Sequence, residues 1–586
     1  MFIDLVFIGI FVQFLHAIFN RWYATSGLFI LYVLVILFFG ANIGPAELIG
    51  FGTTPTVDLT RHAIHPVGWE AAWIWRLYWA GICAVLYCVT LLIHQVRQQE
   101  VFSHKSLSTP YQLALILSLI ATIFTGYALN SARLKGNTLY TKTDPERTAV
   151  DLSLNARATL LSFDLSLVFD NRTLASTGQM VISNMGDTAL PVLYLEKAPI
   201  LNVNTLSATQ DKSAAITIGE RRITIDLTEP LNPGQSLQLT WNGLIDARNP
   251  FDKVARTLIM KNAFFLQTPA LIPLPRRATC FDGTSNPDCF QDESYLLTDQ
   301  TEGKISIKTA DNIVIPGSTS RLLDTGQLEH EIIITPDART NFMITGSQYK
   351  QHKVTLENSG SQRFSVYVAP YGRTSAQRVA EHLETDYRDI RESWCPINID
   401  QFWVAETPPK IFEATTFGNG IAVSERFMGR RNQNNSDLSD ISRIVLTHEL
   451  AHLWYGYKLT PERGPGFGLV LESIPQFVSI KKLEKKSETS GTNLVENMGQ
   501  TVTSLKSRRA DLAQLTEIEE ADWRAYYEGS LALLSVDQQE PGQLIEALGR
   551  VACESQNKGQ PRLPNTILDD IFSSLETDLS AMNSIN

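Results

Sequence analysis

At 586 residues the chain is long enough for several domains, because a single hydrophobic core stops growing at roughly 250–300 residues. Hydrophobic residues make up 44% and charged residues 19%, a globular rather than a disordered balance. The net charge of −11 argues against a nucleic-acid partner, whose phosphates such a surface repels.

Apolar residues crowd into the first 130 positions. Four runs there, at 2–19, 25–42, 73–93 and 111–129, approach or reach the ~20 residues that cross a bilayer. The first is a poor signal peptide: it has no basic leader, carries Asp4 and lacks a small-residue cleavage site. Trp73, Trp75, Tyr78 and Trp79 gather at the start of the third run, as interface anchors do. Arg21 follows the first run, and Arg97 and Lys105 follow the third, whereas the 43–72 connection sets Arg61 against Glu47, Asp58 and Glu70. The positive-inside rule then puts the first and third connections in the cytoplasm and residues 130–586 outside, with Arg133 and Lys135 pulling the other way. His62 and His65 form an H-x-x-H in the 43–72 connection and read as surface histidines rather than a metal pair.

Six cysteines are too few for a disulfide scaffold. Cys83 and Cys88 lie in an apolar run as small hydrophobes. Cys280 and Cys289 bracket the turn-forming FDGTSNPD, which could bring them together as a disulfide, and Cys395 and Cys553 read as free thiols.

From about 148 to 350 the pattern is strand-like. ATLLSFDLSLVFD, GQMVISNM, ALPVLYLEKAPIL, AAITIGERRITIDL and SLQLTWNGLI alternate apolar and polar residues between turns such as NPGQ and DARNP, which predicts a β-sandwich-like domain. The period then lengthens. Ser375 is a candidate N-cap for the helix SAQRVAEHLETDYRDIRESW, QFWVAE and GIAVSERF read as strands, and SDISRIVLTHELAHLWYGY reads as an amphipathic helix with Ile441, Ile444, Val445 and Leu446 on its apolar side. Beyond about 490 the chain is largely helical.

His448-Glu449-Leu450-Ala451-His452 is an H-E-x-x-H motif within that helix. The i, i+4 spacing puts both imidazoles on one face, able to grip one Zn²⁺, with Glu449 at the same mouth as a general base rather than a ligand. A catalytic zinc takes three protein ligands and one open position. Glu472 follows His452 after the nineteen residues 453–471, and Glu462, in the turn PERGPG, is the competing carboxylate.

These residues resemble the gluzincin zinc aminopeptidases, of the alanyl aminopeptidase and leukotriene hydrolase type. That family has HELAHxWxG and then, after eighteen residues, a glutamate in an L-x-E-G-x-A context; the chain has HELAHLWYG and LESIPQF, with one residue more between them. The resemblance implies one zinc per chain on His448, His452 and Glu472. It also implies a tyrosine that donates to the oxyanion, for which Tyr526 in YYEG, 54 residues past Glu472, is the candidate and Tyr527 the fallback. NFMITGSQYK resembles the segment that closes the family's β domain. The implied architecture is multidomain α+β: a four-helix transmembrane region at 1–130, a β-rich domain at 148–350, a thermolysin-like catalytic domain at 351–490 and a helical segment at 491–586.

The family's G-x-M-E-N strand, whose glutamate holds a substrate's amine, corresponds to Thr415–Ile421, with no glutamate; Glu413 and Glu425 flank it. Gly418, Asn419, Gly420 and Ile421 would line the cleft as an edge strand for an extended peptide, with Glu425 as a further substrate contact. The membrane part resembles the last spans of bacterial ABC-type permeases fused to such peptidase domains, which places the protein in a bacterial inner membrane with its catalytic domain outside. No P-loop is present, so an ATPase partner would be a separate chain. Two rival readings are a peptide-binding or assembly module that has lost turnover, and a transporter subunit that oligomerises or pairs with another permease. Retention of Glu449 and a candidate tyrosine favours a working enzyme.

Overall fold

The computed structural model of the chain describes residues 2–39, 62, 69–99, 109–138 and, with gaps, 158–575; the largest gaps are 247–257, 276–300 and 507–522. Cys280, Cys289 and His65 therefore lie outside the described residues. The chain divides into two compact units, one of N-terminal helices and one that runs from the first strand onward and also includes His62.

In the first unit each apolar run forms a helix: α1 (Phe2–Phe19), α2 (Trp22–Phe39), α3 (Trp69–Gln99) and α4 (Thr109–Thr138). Among the described residues only two stretches, Trp73–Arg97 and Gln112–Ser131, are long and apolar enough to cross a membrane. That is fewer than the four expected. The other two apolar helices are described over shorter stretches, Leu5–Phe19 and Trp22–Val35. Trp75 and Trp79 are buried, Trp79 against Phe7 and Cys83, while Trp73 is exposed. α3 and α4 meet closely at Gly81, where an added Cβ would lie 2.4 Å from Thr122 Oγ1.

The second unit begins with β1 (Ala158–Asp170), β2 (Thr173–Asn184), β3 (Leu190–Glu196), β4 (Leu201–Ala208), β5 (Ala215–Ile218), β6 (Arg222–Leu231) and β7 (Ser236–Ile245). There follow β8 (Leu258–Met260), β9 (Ala263–Gln267), β10 (Leu274–Pro275), β11 (Glu302–Thr309), β12 (Thr319–Leu322), β13 (Leu328–Ile334) and β14 (Met343–Gly346). A seven-stranded sheet of order β12-β13-β11-β1-β2-β7-β4 and a four-stranded sheet β10-β3-β6-β5 share one core of alternating residues, including Leu165, Leu167, Leu195, Ile225 and Leu239. Period-two patterning produces this directly, because successive side chains point to opposite faces. A small sheet, β14-β9-β8, packs Ile259, Phe264, Leu266 and Ile344 into the same core.

The next sheet has the order β15-β16-β17-β19-β18, built from β15 (Lys350–Thr355), β16 (Arg363–Val368), β17 (Gln401–Thr407), β18 (Ala414–Phe417) and β19 (Gly420–Ser424). One face packs Tyr367, Trp403, Phe417 and Ala422 against Phe265 and Met343 of the small sheet. His62 sits with that group. It is 2% exposed, its Nδ1 lies 3.0 Å from Ser347 Oγ, and its ring meets Phe265 and Tyr349 edge-on, so it is not the surface histidine its irregular loop suggests.

The other face of that sheet carries Val366, Val404, Ile421 and Val423 into a core with two helices, α5 (Ala376–Ser393) and α6 (Asp440–Ala451). Ser375 caps α5 as expected, its side chain accepting from Arg378 N, and Ser439 caps α6 by accepting from Ser442 N. Ile441, assigned to the apolar side of α6, is 45% exposed, while Ile444 and Leu446 are buried. Helices α7 (Ile474–Lys486), α8 (Glu488–Lys506), α9 (Ser530–Gln539), α10 (Gln543–Glu554) and α11 (Pro564–Ser573) complete the unit.

Cys395 and Cys553 are joined in a disulfide with a Cα separation of 5.9 Å, which corrects the reading of both as free thiols. Packing brings the two residues within bonding reach across 158 positions. The bridge ties the end of α5 to α10. Beside it Trp454 Nε1 donates to Cys395 O at 3.0 Å, and Tyr455 OH donates to Leu548 O at 2.8 Å.

Candidate metal centre

Helix α6 places His448 and His452 one turn apart, both buried, with their Nε2 atoms 3.1 Å from each other. Glu472 reaches the same point: its Oε2 lies 3.2 Å from His448 Nε2 and 3.6 Å from His452 Nε2. Ligand bonds of 2.0–2.1 Å in a tetrahedron leave neighbouring donor atoms about 3.3 Å apart, so this triangle fits one Zn²⁺. His452 Nδ1 lies 3.1 Å from Tyr455 O, and donation to that carbonyl leaves Nε2 as the lone-pair nitrogen. Glu462, the competing carboxylate, is instead tied through its backbone N–H to Arg562 O.

Electrostatics mark the same spot. Burial raises the Glu472 carboxyl, but the His452 charge and hydrogen bonds from both imidazoles outweigh it and hold Glu472 far below the usual carboxylate range. Burial likewise pushes His452 down, and Glu472 more than reverses this, leaving it raised to about 9. A positive charge is thus stabilised among three buried groups, and a divalent cation bound there would replace the shared proton.

Glu472 arrives from a π-helical turn, Leu469–Ser473, set at the head of α7. A π-turn closes its hydrogen bonds one residue later than an α-turn, so it absorbs one extra residue without redirecting the helix that follows. The nineteenth residue after His452, Leu471, lies within this turn. Pro475 causes no break because it sits in the first turn of α7, where its missing N–H has no partner to lose.

Tyr526 comes from a second π-helical turn, Arg524–Gly529, and its ring centroid is 5.7 Å from that of His448. Tyr527, next to it, is 37% exposed. The two π-turns touch: Ser473 Oγ donates to Ala525 O at 2.6 Å, and a Cβ on Gly529 would come within 2.2 Å of Ser473 Oγ. Only glycine allows that approach.

Glu449 is buried, with a carboxylate oxygen within 4.8 Å of ligand atoms on both histidines. Its pKa is raised by burial, against the pull of His452, His448 and a hydrogen bond from Thr416. Thr416 was not singled out from the sequence. Its Oγ1 lies 2.8 Å from Glu449 Oε2 and 2.6 Å from Glu449 O, and its own carbonyl accepts from Tyr457 OH at 2.5 Å. Thr416 pairs across the hairpin with Ile421, so both side chains share the face toward α6.

The edge strand is β18, not the Gly420–Ile421 segment. The chain forms the edge first and returns as β19 between β18 and β17, so Ile421 is fully buried in the core and Gly420 lies under the Trp403 ring. Gly418 and Asn419 fall outside the described residues. Glu425 is buried just past β19, its N–H donating to Thr407 O, and Glu413 is exposed before β18.

No protein-family model matches the chain, and no curated protein does. Solved structures do match. An M1 zinc metallopeptidase from Deinococcus radiodurans aligns at 13% identity with a TM-score of 0.52, over 72% of this chain and 92% of that one. A glutamate-to-alanine variant of an M1 zinc metallopeptidase from the same organism, bound to a Tyr-Ser-Ala substrate, aligns equally well, at 13% identity and 0.52 over the same shares. A two-domain M1 zinc metallopeptidase variant bound to L-arginine aligns at 14% identity and 0.52, again over 72% and 92%. The chain therefore has, over nearly three quarters of its length, the mixed α+β fold of the M1 zinc metallopeptidases.

Proposed function

We propose that the chain is a membrane-anchored, zinc-dependent metallopeptidase of aminopeptidase-like type, acting on peptides. The observation that carries this reading is the buried triangle of His448, His452 and Glu472, with Glu449 and Tyr526 at its mouth. One Zn²⁺ held by the three ligands supplies a Lewis acid that polarises the scissile carbonyl and acidifies water. Glu449 accepts the proton of the attacking water and delivers it to the leaving nitrogen; its raised pKa suits a group that must both take and release a proton. Thr416 orients that carboxylate. Tyr526 donates its hydroxyl proton as a hydrogen bond to the developing oxyanion. The free edge of β18 offers backbone groups on which an extended peptide can pair.

The described residues of β18 and β19 carry no carboxylate, and Phe417 of β18 is buried in the core. The proposed enzyme accordingly depends less on a free substrate amine than a strict aminopeptidase does. For anchoring and location, the support is the two long apolar helices, the Arg21, Arg97 and Lys105 charges, and the Cys395–Cys553 bridge, which suits an oxidising compartment. This reading puts the catalytic unit on the extracytoplasmic side of a bacterial inner membrane.

The test is metal content and hydrolysis of a mixed peptide library, free and N-acetylated, by the full chain and two variants. His448→Ala/His452→Ala should lose the zinc. Glu449→Gln should keep it while nearly eliminating hydrolysis, because an amide cannot accept the water's proton. Equal rates for wild type and Glu449→Gln would replace the enzyme with a binding module.

A further inference from the structure

On the side of α6 away from the metal centre, helices α5, α6 and α7 enclose a cavity of about 400 Å³. Its lining is strongly charged, and most of that charge is neutralised internally. Asp389 takes Lys482 at 3.2 Å and Lys485 at 3.0 Å. Asp386 accepts from Thr447 Oγ1 and lies 3.5 Å from His382 Nε2. Glu381 accepts from Gln377 at 2.8 Å.

Arg443 is the exception. It is 8% exposed, and its Nε donates to Leu438 O at 3.2 Å, but neither Nη nitrogen has a hydrogen-bond acceptor among the described residues. The nearest carboxylate oxygen, Asp437 Oδ2, is 3.7 Å from Nη2 and belongs to a side chain that is 60% exposed. A guanidinium carries five N–H donors, and in Arg443 only Nε makes a hydrogen bond among the described residues. Lys486 lines the same cavity and makes no hydrogen bond or ion pair among the described residues. Its pKa is lowered, by burial first and then by the Arg443 charge, against the weaker pull of Asp437, Asp386 and Asp440. Arg443 and Lys486 thus face one space in which the carboxylate nearest to Arg443, that of Asp437, sits on a largely exposed side chain.

We propose that this cavity binds a compact oxyanion, a phosphate or carboxylate group, through the Arg443 fork and the Lys486 ammonium. The planar fork matches two oxygens of either group, and Lys486 adds a point charge. The site lies on the helix that carries His448, with Arg443 one turn before Thr447, but it is separate from the metal centre and does not depend on hydrolysis.

Calorimetric titration of the zinc-loaded full chain with inorganic phosphate, and in parallel with succinate, tests this at constant ionic strength in chloride. One saturable site is expected, with a Kd of about 1 mM or tighter for at least one anion. The preferred anion distinguishes a phosphoryl from a carboxyl ligand. Arg443→Gln and Lys486→Ala should each weaken binding at least about tenfold, which corresponds to loss of one charge-assisted hydrogen bond. Lys486 is exposed, so its variant keeps the fold and decides the matter if Arg443→Gln does not fold. Absence of saturable binding, or binding undiminished in Lys486→Ala, overturns the proposal; the latter would place the anion elsewhere, the metal included.

Discussion

The straight helix α6 and the two π-helical turns supply one centre by different means. His448 and Glu449 lie on α6 and His452 is its C-cap, still in helical conformation, so their mutual placement follows from 3.6 residues per turn. Glu472 and Tyr526 come from separate segments, Leu469–Ser473 and Arg524–Gly529, and reach the centre only because those segments pack together. The first group needs only an intact helix. The second needs a joint between helices, so its precision rests on packing and on a few hydrogen bonds.

That contrast can be tested, beginning with the anchorage of α6. The Cys395–Cys553 bridge clamps the segment into which α6 runs, through Trp454 and Tyr455. Removing a bridge that spans 158 positions should lower the unit's stability by up to about 5 kcal/mol in the chain-entropy account. Denaturant titration of Cys395→Ala/Cys553→Ala, followed by tryptophan fluorescence, checks this. An unshifted midpoint would mean that helix packing alone fixes α6.

Tyr526→Phe probes the other group. It keeps the ring against His448 and removes one oxyanion donor, for which about 2.7–4 kcal/mol, or roughly 10²–10³ in kcat, is expected. KM and zinc content should hold, since the interaction is made only in the transition state. The same loss in Tyr527→Phe, with Tyr526→Phe unaffected, would reverse their roles.

The same division explains what the sequence could show. The HELAH spacing, the Ser375 cap and strands β1, β2, β3 and β7 were legible because each is a local pattern with one period, whereas β4 was not read and β5 and β6 were read as one segment. The choice between Tyr526 and Tyr527 was not, because which of two adjacent residues faces inward depends on whether the turn is α or π, and both carry the same apolar pattern. The Cys395–Cys553 pairing and the burial of His62 depend on contacts across 158 and 285 positions, which no local window contains. The hairpin β18–β19 was recognisable as strand, yet which strand forms the edge is a property of sheet order.

Thr416 lies between the two groups, a strand residue that serves α6. Thr416→Val keeps the shape and removes a hydrogen bond to a buried carboxylate, a loss of about 1.5–3 kcal/mol for a charged partner. If that bond orients Glu449 for proton transfer, kcat should fall roughly 10- to 10²-fold with KM and zinc unchanged, and Thr416→Ser should restore most of it. A loss that serine fails to restore would assign Thr416 to packing instead.

The smallest expected effect bears most directly on the joint. Ser473 neighbours the proposed ligand Glu472 in sequence, and its hydroxyl donates to the carbonyl of Ala525, the residue before Tyr526. One hydrogen bond therefore links the turn of the proposed metal ligand to the turn of the proposed oxyanion donor. Ser473→Ala removes it without adding bulk, at about 0.5–1.5 kcal/mol for a neutral pair. If the bond served stability alone, the variant would unfold earlier and turn over normally. If it sets the spacing, kcat should fall about two- to tenfold while zinc content stays whole, because Glu472 remains held by both histidines and the displacement falls on Tyr526. Combining Ser473→Ala with Tyr526→Phe separates these outcomes: once the hydroxyl of Tyr526 is gone, loss of its positioning bond should cost almost nothing further in kcat. Additive losses would show that Ser473 acts on the centre by another route, and the π-turns would then be independent carriers rather than one joint.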